Sequence, residues 1–181
     1  MKTKGKVSFV SLGCSKNTVN TERMIRIVMD AGYEVVPEDI DADVVVINTC
    51  AFIESAKEES IGSILDVAWL KENRSLKAIV VTGCLSERYR EQVAEQLPEV
   101  DAVLGTGSYE EIAKAIDEVL AGRKYQSYGD KNICEMGGAR VLTGQKFSAY
   151  LKIGEGCNNR CTYCAIPQIR GIYRSRPIEE I

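Results

Sequence analysis

"DVVVINTC" (43–50) sets four β-branched residues, Val44 to Ile47, in an unbroken row and ends on a cysteine. The row has no polar alternation, so neither face of the strand it forms meets water. Strands of that kind belong to parallel sheets covered by helices on both sides. The same construction recurs around it. "KVSFVSL" (6–12) runs into Gly13 and Cys14, "KAIVVT" (77–82) runs into Gly83 and Cys84, and "DAVLG" (101–105) closes the series. Helical patterns fill the intervals. Residues 18–31 put Val19, Ile25, Ile27, Val28 and Ala31 largely on one side and stop at Gly32. Residues 53–72, 87–97 and 109–121 supply three more, the last ending at Gly122. The βαβαβαβα order predicts an α/β fold over 1–122, with an open parallel sheet flanked by helices. Trp69 and Tyr33 are expected to pack against that sheet, and "KEES" (57–60) to be a solvated helix face.

Residues 123–147 lose the periodicity and gather glycine and polar residues, which reads as a connecting segment. From 148 a second domain begins: "SAYLKIGEGC" (148–157) reads as a strand running into a cysteine loop. Too few residues follow to complete a domain of ordinary size. Residues 155–181 are therefore expected to be poorly ordered or packed in a non-native way.

Composition narrows the chemistry. The chain has 181 residues, 45% of them hydrophobic, and a formal charge of -3, so no overall basic field draws it to nucleic acid or anionic lipid. No apolar run approaches the roughly 20 residues of a membrane span. The N-terminus shows no leader pattern, and a cytoplasmic location follows by default. Seven cysteines and no histidines argue against a disulfide framework and remove cysteine–histidine zinc sites, cysteine–histidine nucleophiles and Ser-His-Asp triads.

Cys14, Cys50 and Cys84 each lie one or two residues past a strand and just before a helix. In an open parallel sheet the carboxyl ends of all strands share one edge, where ligands bind. The three are either small buried core residues, as free cysteines often are, or a group converging on one ligand. Cys134, in the connecting segment, reads as an ordinary thiol.

A second group is denser. In "IGEGCNNRCTYCAIP" (153–167), Cys157, Cys161 and Cys164 form C-x3-C-x2-C. Zinc would need a fourth ligand, from Cys134 or an acidic residue. A [4Fe–4S] cube held by three thiolates would instead keep one iron open to a substrate or cofactor. "LGTGSYEEI" (104–112) lacks the third glycine and the lysine of a phosphate loop and reads as a tight turn with Ser108 as N-cap. Arg170, Arg174 and Arg176 read as a solvated loop or as contacts to nucleic acid or an acidic substrate.

"GCNNRCTYCAIP" (156–167) resembles the cluster motif of radical S-adenosylmethionine enzymes. The resemblance implies that Cys157, Cys161 and Cys164 hold a [4Fe–4S] cluster whose fourth iron is chelated by S-adenosylmethionine, with Tyr163 near the adenine. An electron through the cluster would then release a 5′-deoxyadenosyl radical. "SLGCSKNTVNTE", "VVINTCAFIESAKEESI", "VTGCLSERY", "LPEVDAVLGTGSYEEI" and the later "RGIYRSRP" together resemble the N-terminal part of the methylthiotransferases, in the branch that modifies an aspartate of a small-subunit ribosomal protein. "TVNTE" stands where an Asp-Ser-Glu ending is expected, which changes no ligand.

The resemblance implies a second [4Fe–4S] cluster on Cys14, Cys50 and Cys84, with an open iron for the sulfur to be transferred. It implies an electron donor such as flavodoxin or ferredoxin, and no membrane partner. Residues 148–181 would be the truncated start of a radical S-adenosylmethionine partial α/β barrel, so the 181 residues alone are expected to be inactive. Alternatives are the branch acting on tRNA adenosines and a non-enzymatic iron–sulfur electron-transfer module.

Overall fold

A computed structural model of the chain describes residues 3–133 and 137–181. Its centre is a sheet of six strands: β1 (Lys6–Ser11), β2 (Glu34–Val35), β3 (Val44–Thr49), β4 (Ala78–Gly83), β5 (Ala102–Leu104) and β6 (Tyr125–Ser127). They lie in the order β2-β1-β3-β4-β5-β6, and every pair is parallel. The helices are α1 (Ser15–Asp30), α2 (Glu54–Asn73), α3 (Cys84–Arg88), α4 (Arg90–Gln96) and α5 (Ile112–Leu120).

The strands alternate between two cores. Val45, Ile47, Ile79, Val81 and Val103 face a core completed by Ile64, Val67 and Ala68 of α2, Leu85 of α3 and Val93 of α4. Val44, Val46, Ala78, Val80, Ala102 and Leu104 face the opposite core, with Met24 and Val28 of α1 and Ile112, Ala115, Ile116 and Val119 of α5. Both faces are dry, which is why the strands read as continuous apolar runs. Each fully buried Val or Ile contributes about 1.5–3 kcal/mol.

Several local expectations are corrected. β6 lies inside 123–147, the segment read as a connection, and completes the sheet at one edge. β2 was likewise not anticipated at the other edge. Strands of two or three residues carry too little pattern to read, and short edges limit stray pairing. The helix expected over 87–97 starts at Cys84 and breaks at Tyr89 (φ -124°, ψ 40°). Tyr33 is buried, but Trp69 is 53% exposed, because it sits one position around α2 from the inward stripe of Ile64, Val67 and Ala68. Ser60, expected in water, is fully buried. Ser108 does not cap: its hydroxyl meets Ser127 Oγ at 3.0 Å and accepts from the Gly129 N–H at 2.7 Å.

Residues 148–153 form no strand. β7 (Gly154–Glu155) pairs antiparallel with β8 (Arg174–Ser175), on either side of α6 (Ile166–Arg170). Parallel neighbours need a long crossover, so no barrel strand pair forms among the described residues. Of the two outcomes expected for 155–181, poor order does not hold for α6, which is docked: Ile169 is 1% exposed, joins the core of Leu85 and Val93, and its carbonyl accepts from Thr106 Oγ1 at 2.6 Å.

Candidate metal centre at the strand ends

Between β1 and β3 the strand order reverses, since β1 has β2 on one side and β3 on the other. In open α/β sheets the crevice outside the carboxyl ends at such a reversal is where ligands bind. Ser11, Asn48 and Thr82 lie side by side at the ends of β1, β3 and β4. Cys50 and Cys84 each stand two residues beyond them and Cys14 three, so all three cysteines reach this edge. Cys14 is exposed, whereas Cys50 and Cys84 are buried.

Glycine makes the approach close. Gly13 has φ +87°, and a Cβ there would lie 2.6 Å from Cys50 Cβ and 2.8 Å from its Sγ. The peptide between β1 and Cys14 therefore rests on the Cys50 side chain. Gly83 has φ +99°, with Thr49 and Asn48 where a Cβ would go.

Polar side chains brace these turns. Asn17, fully buried, donates from Nδ2 to the Leu12 carbonyl at 2.8 Å and the Thr49 carbonyl at 2.9 Å, tying the ends of β1 and β3 together. Asn48 Nδ2 donates to the Asn17 carbonyl at 3.0 Å and Thr21 Oγ1 at 2.9 Å. Ser60 Oγ accepts from the Cys50 N–H at 3.0 Å and lies 2.8 Å from the Cys50 carbonyl oxygen.

Arg170 enters from the second cysteine segment. Its Nη2 lies 3.3 Å from Cys84 Sγ and donates to Asn17 Oδ1, and its Nη1 lies 3.3 Å from Glu155 Oε2. The Glu155 carboxylate also meets Lys152 Nζ at 2.6 Å and Lys16 Nζ at 3.1 Å. Burial alone would raise the Glu155 carboxyl, but Arg170 and Lys152 outweigh it and hold it at about 2. Burial pushes the Cys84 thiol up, Arg170 opposes this, and Cys50 and Cys14 add to it.

The second group lies in one loop. Cys164 N–H donates to the Cys161 carbonyl at 3.1 Å, making a turn, and Cys157 N–H donates to the Gly171 carbonyl at 3.1 Å. Gly156 has φ +77°, and its missing Cβ leaves room for the Ile172 carbonyl. Cys157 and Cys164 are half-buried, Cys161 is exposed, and Tyr163 is 87% exposed. Cys134 lies outside the described residues. The "LGTG" turn offers no phosphate cradle, because Gly129 fills the space against Gly107.

Among the described residues no three metal-ligating side chains gather around a single ion. A four-iron cube spaces its ligands more widely than one ion does. An all-thiol donor set with no histidine, on glycine-lined turns at a strand-order reversal, fits such a cube. The sequence singles out the six cysteines as candidate ligands but gives no sign of Asn17, Ser60 or the burial of Arg170. Arg174 and Arg176 are also anchored rather than loose: Arg174 Nη2 donates to the Lys131 carbonyl at 2.6 Å, and Arg176 Nη1 to the Lys152 carbonyl at 3.3 Å.

The sheet and its edge define the class: a doubly wound α/β domain with three cysteines just past adjacent strand ends at its switch point. A family model described as an uncharacterized protein family, UPF0004, matches residues 6–105, more than half of the 181, and the chain belongs to that family. It is 50% identical over 183 aligned residues to a protein of Clostridium botulinum and 48% identical over 177 to one of Lachnoclostridium phytofermentans. It is 46% identical over 177 to one of Clostridioides difficile. Each of the three is named ribosomal protein uS12 methylthiotransferase RimO. The alignments cover 97–99% of this chain, but the chain spans 40% of the length of these relatives.

Proposed function

We propose that this chain is the cluster-binding N-terminal portion of a radical S-adenosylmethionine methylthiotransferase that adds a methylthio group to the β-carbon of an aspartate in a small-subunit ribosomal protein. The observation that carries the reading is the gathering of Cys14, Cys50 and Cys84 at three adjacent strand ends, in a chain that also holds the C-x3-C-x2-C loop. The names of the relatives support the ribosomal-protein substrate over tRNA.

In this reading Cys14, Cys50 and Cys84 hold one [4Fe–4S] cluster. Cys157, Cys161 and Cys164 hold the other, where S-adenosylmethionine binds with Tyr163 at its adenine. When bound, the clusters supply electrons and an open iron position each. The protein's own part is to position and to exclude water. Gly13 lets the β1 turn close over Cys50, Ser60 fixes the Cys50 backbone, Asn17 locks the two strand ends, and burial of Cys50 and Cys84 keeps solvent from that side. Tyr163 stands open to solvent among the described residues. The chain by itself is therefore expected to hold clusters without transferring a methylthio group. An electron donor such as flavodoxin or ferredoxin would serve it, in the cytoplasm. No helix among the described residues is long and apolar enough to cross a membrane.

The test is iron and acid-labile sulfide per chain after anaerobic reconstitution, for this chain and for the Cys14→Ala, Cys50→Ala, Cys84→Ala triple variant. About eight irons falling to about four supports two clusters. About four in both overturns the strand-end cluster. For the substrate, a full-length relative is incubated with uS12 and with tRNA; a methylthio group on tRNA adenosine instead of uS12 overturns the ribosomal reading.

A further inference from the structure

Arg170 belongs to the segment of the C-x3-C-x2-C loop, yet its side chain ends in the other site. The guanidinium is 4% exposed and lies against Cys84 Sγ and Asn17 Oδ1. The next residue, Gly171, accepts the Cys157 N–H through its carbonyl. One peptide therefore separates the residue touching Cys84 from the residue touching Cys157. The charges around it are unbalanced: two buried cations, Arg170 and Lys152, meet one buried carboxylate, Glu155, which the half-exposed Lys16 also reaches. A buried cationic excess is costly unless an anion faces it. Beyond Glu155, the guanidinium faces the Asn17 amide oxygen and the Cys84 sulfur at the strand ends.

We propose that Arg170 is a positioning residue for the cluster at Cys14, Cys50 and Cys84, donating to the Cys84 sulfur and holding that cluster's reduction potential up, with Glu155 opposing it. This rests on the reading of the strand-end thiols as cluster ligands. Three thiolates outweigh the positive charge of a four-iron cube, and reduction adds a further negative charge. A donor and a positive charge at a ligand sulfur therefore favour the reduced form. Because the arginine comes from the other cysteine segment, the potential of one cluster depends on the docking of the loop that carries the other.

The experiment starts from a parent with Cys157, Cys161 and Cys164 all changed to Ala, so that the strand-end cluster alone remains. Arg170→Gln and Glu155→Gln are each added. Iron per chain and the reduction potential, followed by electron paramagnetic resonance during a redox titration, are measured for all three. Arg170→Gln is expected to move the potential negative and Glu155→Gln to move it positive, with iron retained. Opposite shifts are not expected of two residues that merely pack. Unchanged potentials, or shifts of the same sign, overturn the assignment while leaving the cluster in place. Should Arg170→Gln lose its iron, the positive shift of Glu155→Gln supports the proposal, and no shift or a negative one overturns it. A parent that binds no iron overturns the cluster reading and this proposal together.

Discussion

Asn17 donates a hydrogen bond to the Thr49 carbonyl at 2.9 Å across the strand-order reversal, from a helix that follows β1 to the end of β3. Its second amide hydrogen goes to the Leu12 carbonyl at 2.8 Å, so one side chain staples two strand ends. Asn17→Ala leaves both carbonyls without that donor, the Thr49 carbonyl at a fully buried position. A cost of about 2–3 kcal/mol is expected in urea unfolding. If the proposed strand-end cluster is bound, its iron should fall as well. Asn17→Asp keeps the shape but has no N–H to give, and is expected to do no better than Ala. A destabilisation within about 0.5 kcal/mol would remove the staple from the account.

Gly13→Ala tests the approach of the β1 turn to Cys50. The new methyl would lie 2.6 Å from Cys50 Cβ, at a φ of +87° that alanine adopts poorly. Backbone strain of this kind costs about 1–3 kcal/mol, and the contact must push Cys50 away. If the proposed two clusters are bound, iron per chain is expected to fall from about eight to about four, with the loop cluster retained. Full loading of Gly13→Ala would show that Cys50 can shift without losing its role.

Ile169→Ala tests the docking of the second segment. Ile169 is 1% exposed against the core of Leu85 and Val93, and truncation there is expected to cost about 2–5 kcal/mol. α6 is held to the sheet through this residue, the Thr106 bond and the buried Arg170, so Ile169→Ala removes one of three anchors. The loss should therefore appear as faster amide exchange over 165–171, with the central strands still protected. Uniform loss of protection across β3 and β4 would mean that α6 and the sheet unfold as one unit.

The interior was legible because β3 and β4 are buried on both faces and apolar along most of their length, with the buried polar Asn48, Thr49 and Thr82 confined to their carboxyl ends. The site was half legible. A cysteine just past each such strand can be placed on the sheet edge by topology alone. Its supports could not be placed in that way. Ser60 sits in "KEES" and is indistinguishable from its solvated neighbours until α2 is laid against Cys50. Arg170 reads like Arg174 and Arg176, since its partners Asn17 and Cys84 lie 153 and 86 residues away in the chain. Long-range polar pairing leaves no periodic trace, and neither do edge strands as short as β2 and β6.

Glu111 gives the acid response of that edge. Its carboxylate accepts from Tyr125 OH and from Ser127 Oγ at 2.8 Å, holding β6 to the turn before α5. These bonds, Tyr125 first, hold the carboxyl below its ordinary 4.5. A carboxyl whose folded value lies below its unfolded one contributes fully above the ordinary value and progressively less as pH falls through the depressed one. β6 should therefore be insensitive to pH from 7 to about 5 and loosen below about 4.5. The Gly105 N–H, which donates to the Ser127 carbonyl at 2.8 Å, reports this through its exchange rate, corrected for intrinsic pH dependence. Glu111→Gln keeps an acceptor oxygen but cannot titrate, so the acid-induced loosening should vanish in that variant. If Gly105 loosens equally with Gln at 111, another group drives the edge, and the Glu111 bonds are not what holds β6 in acid.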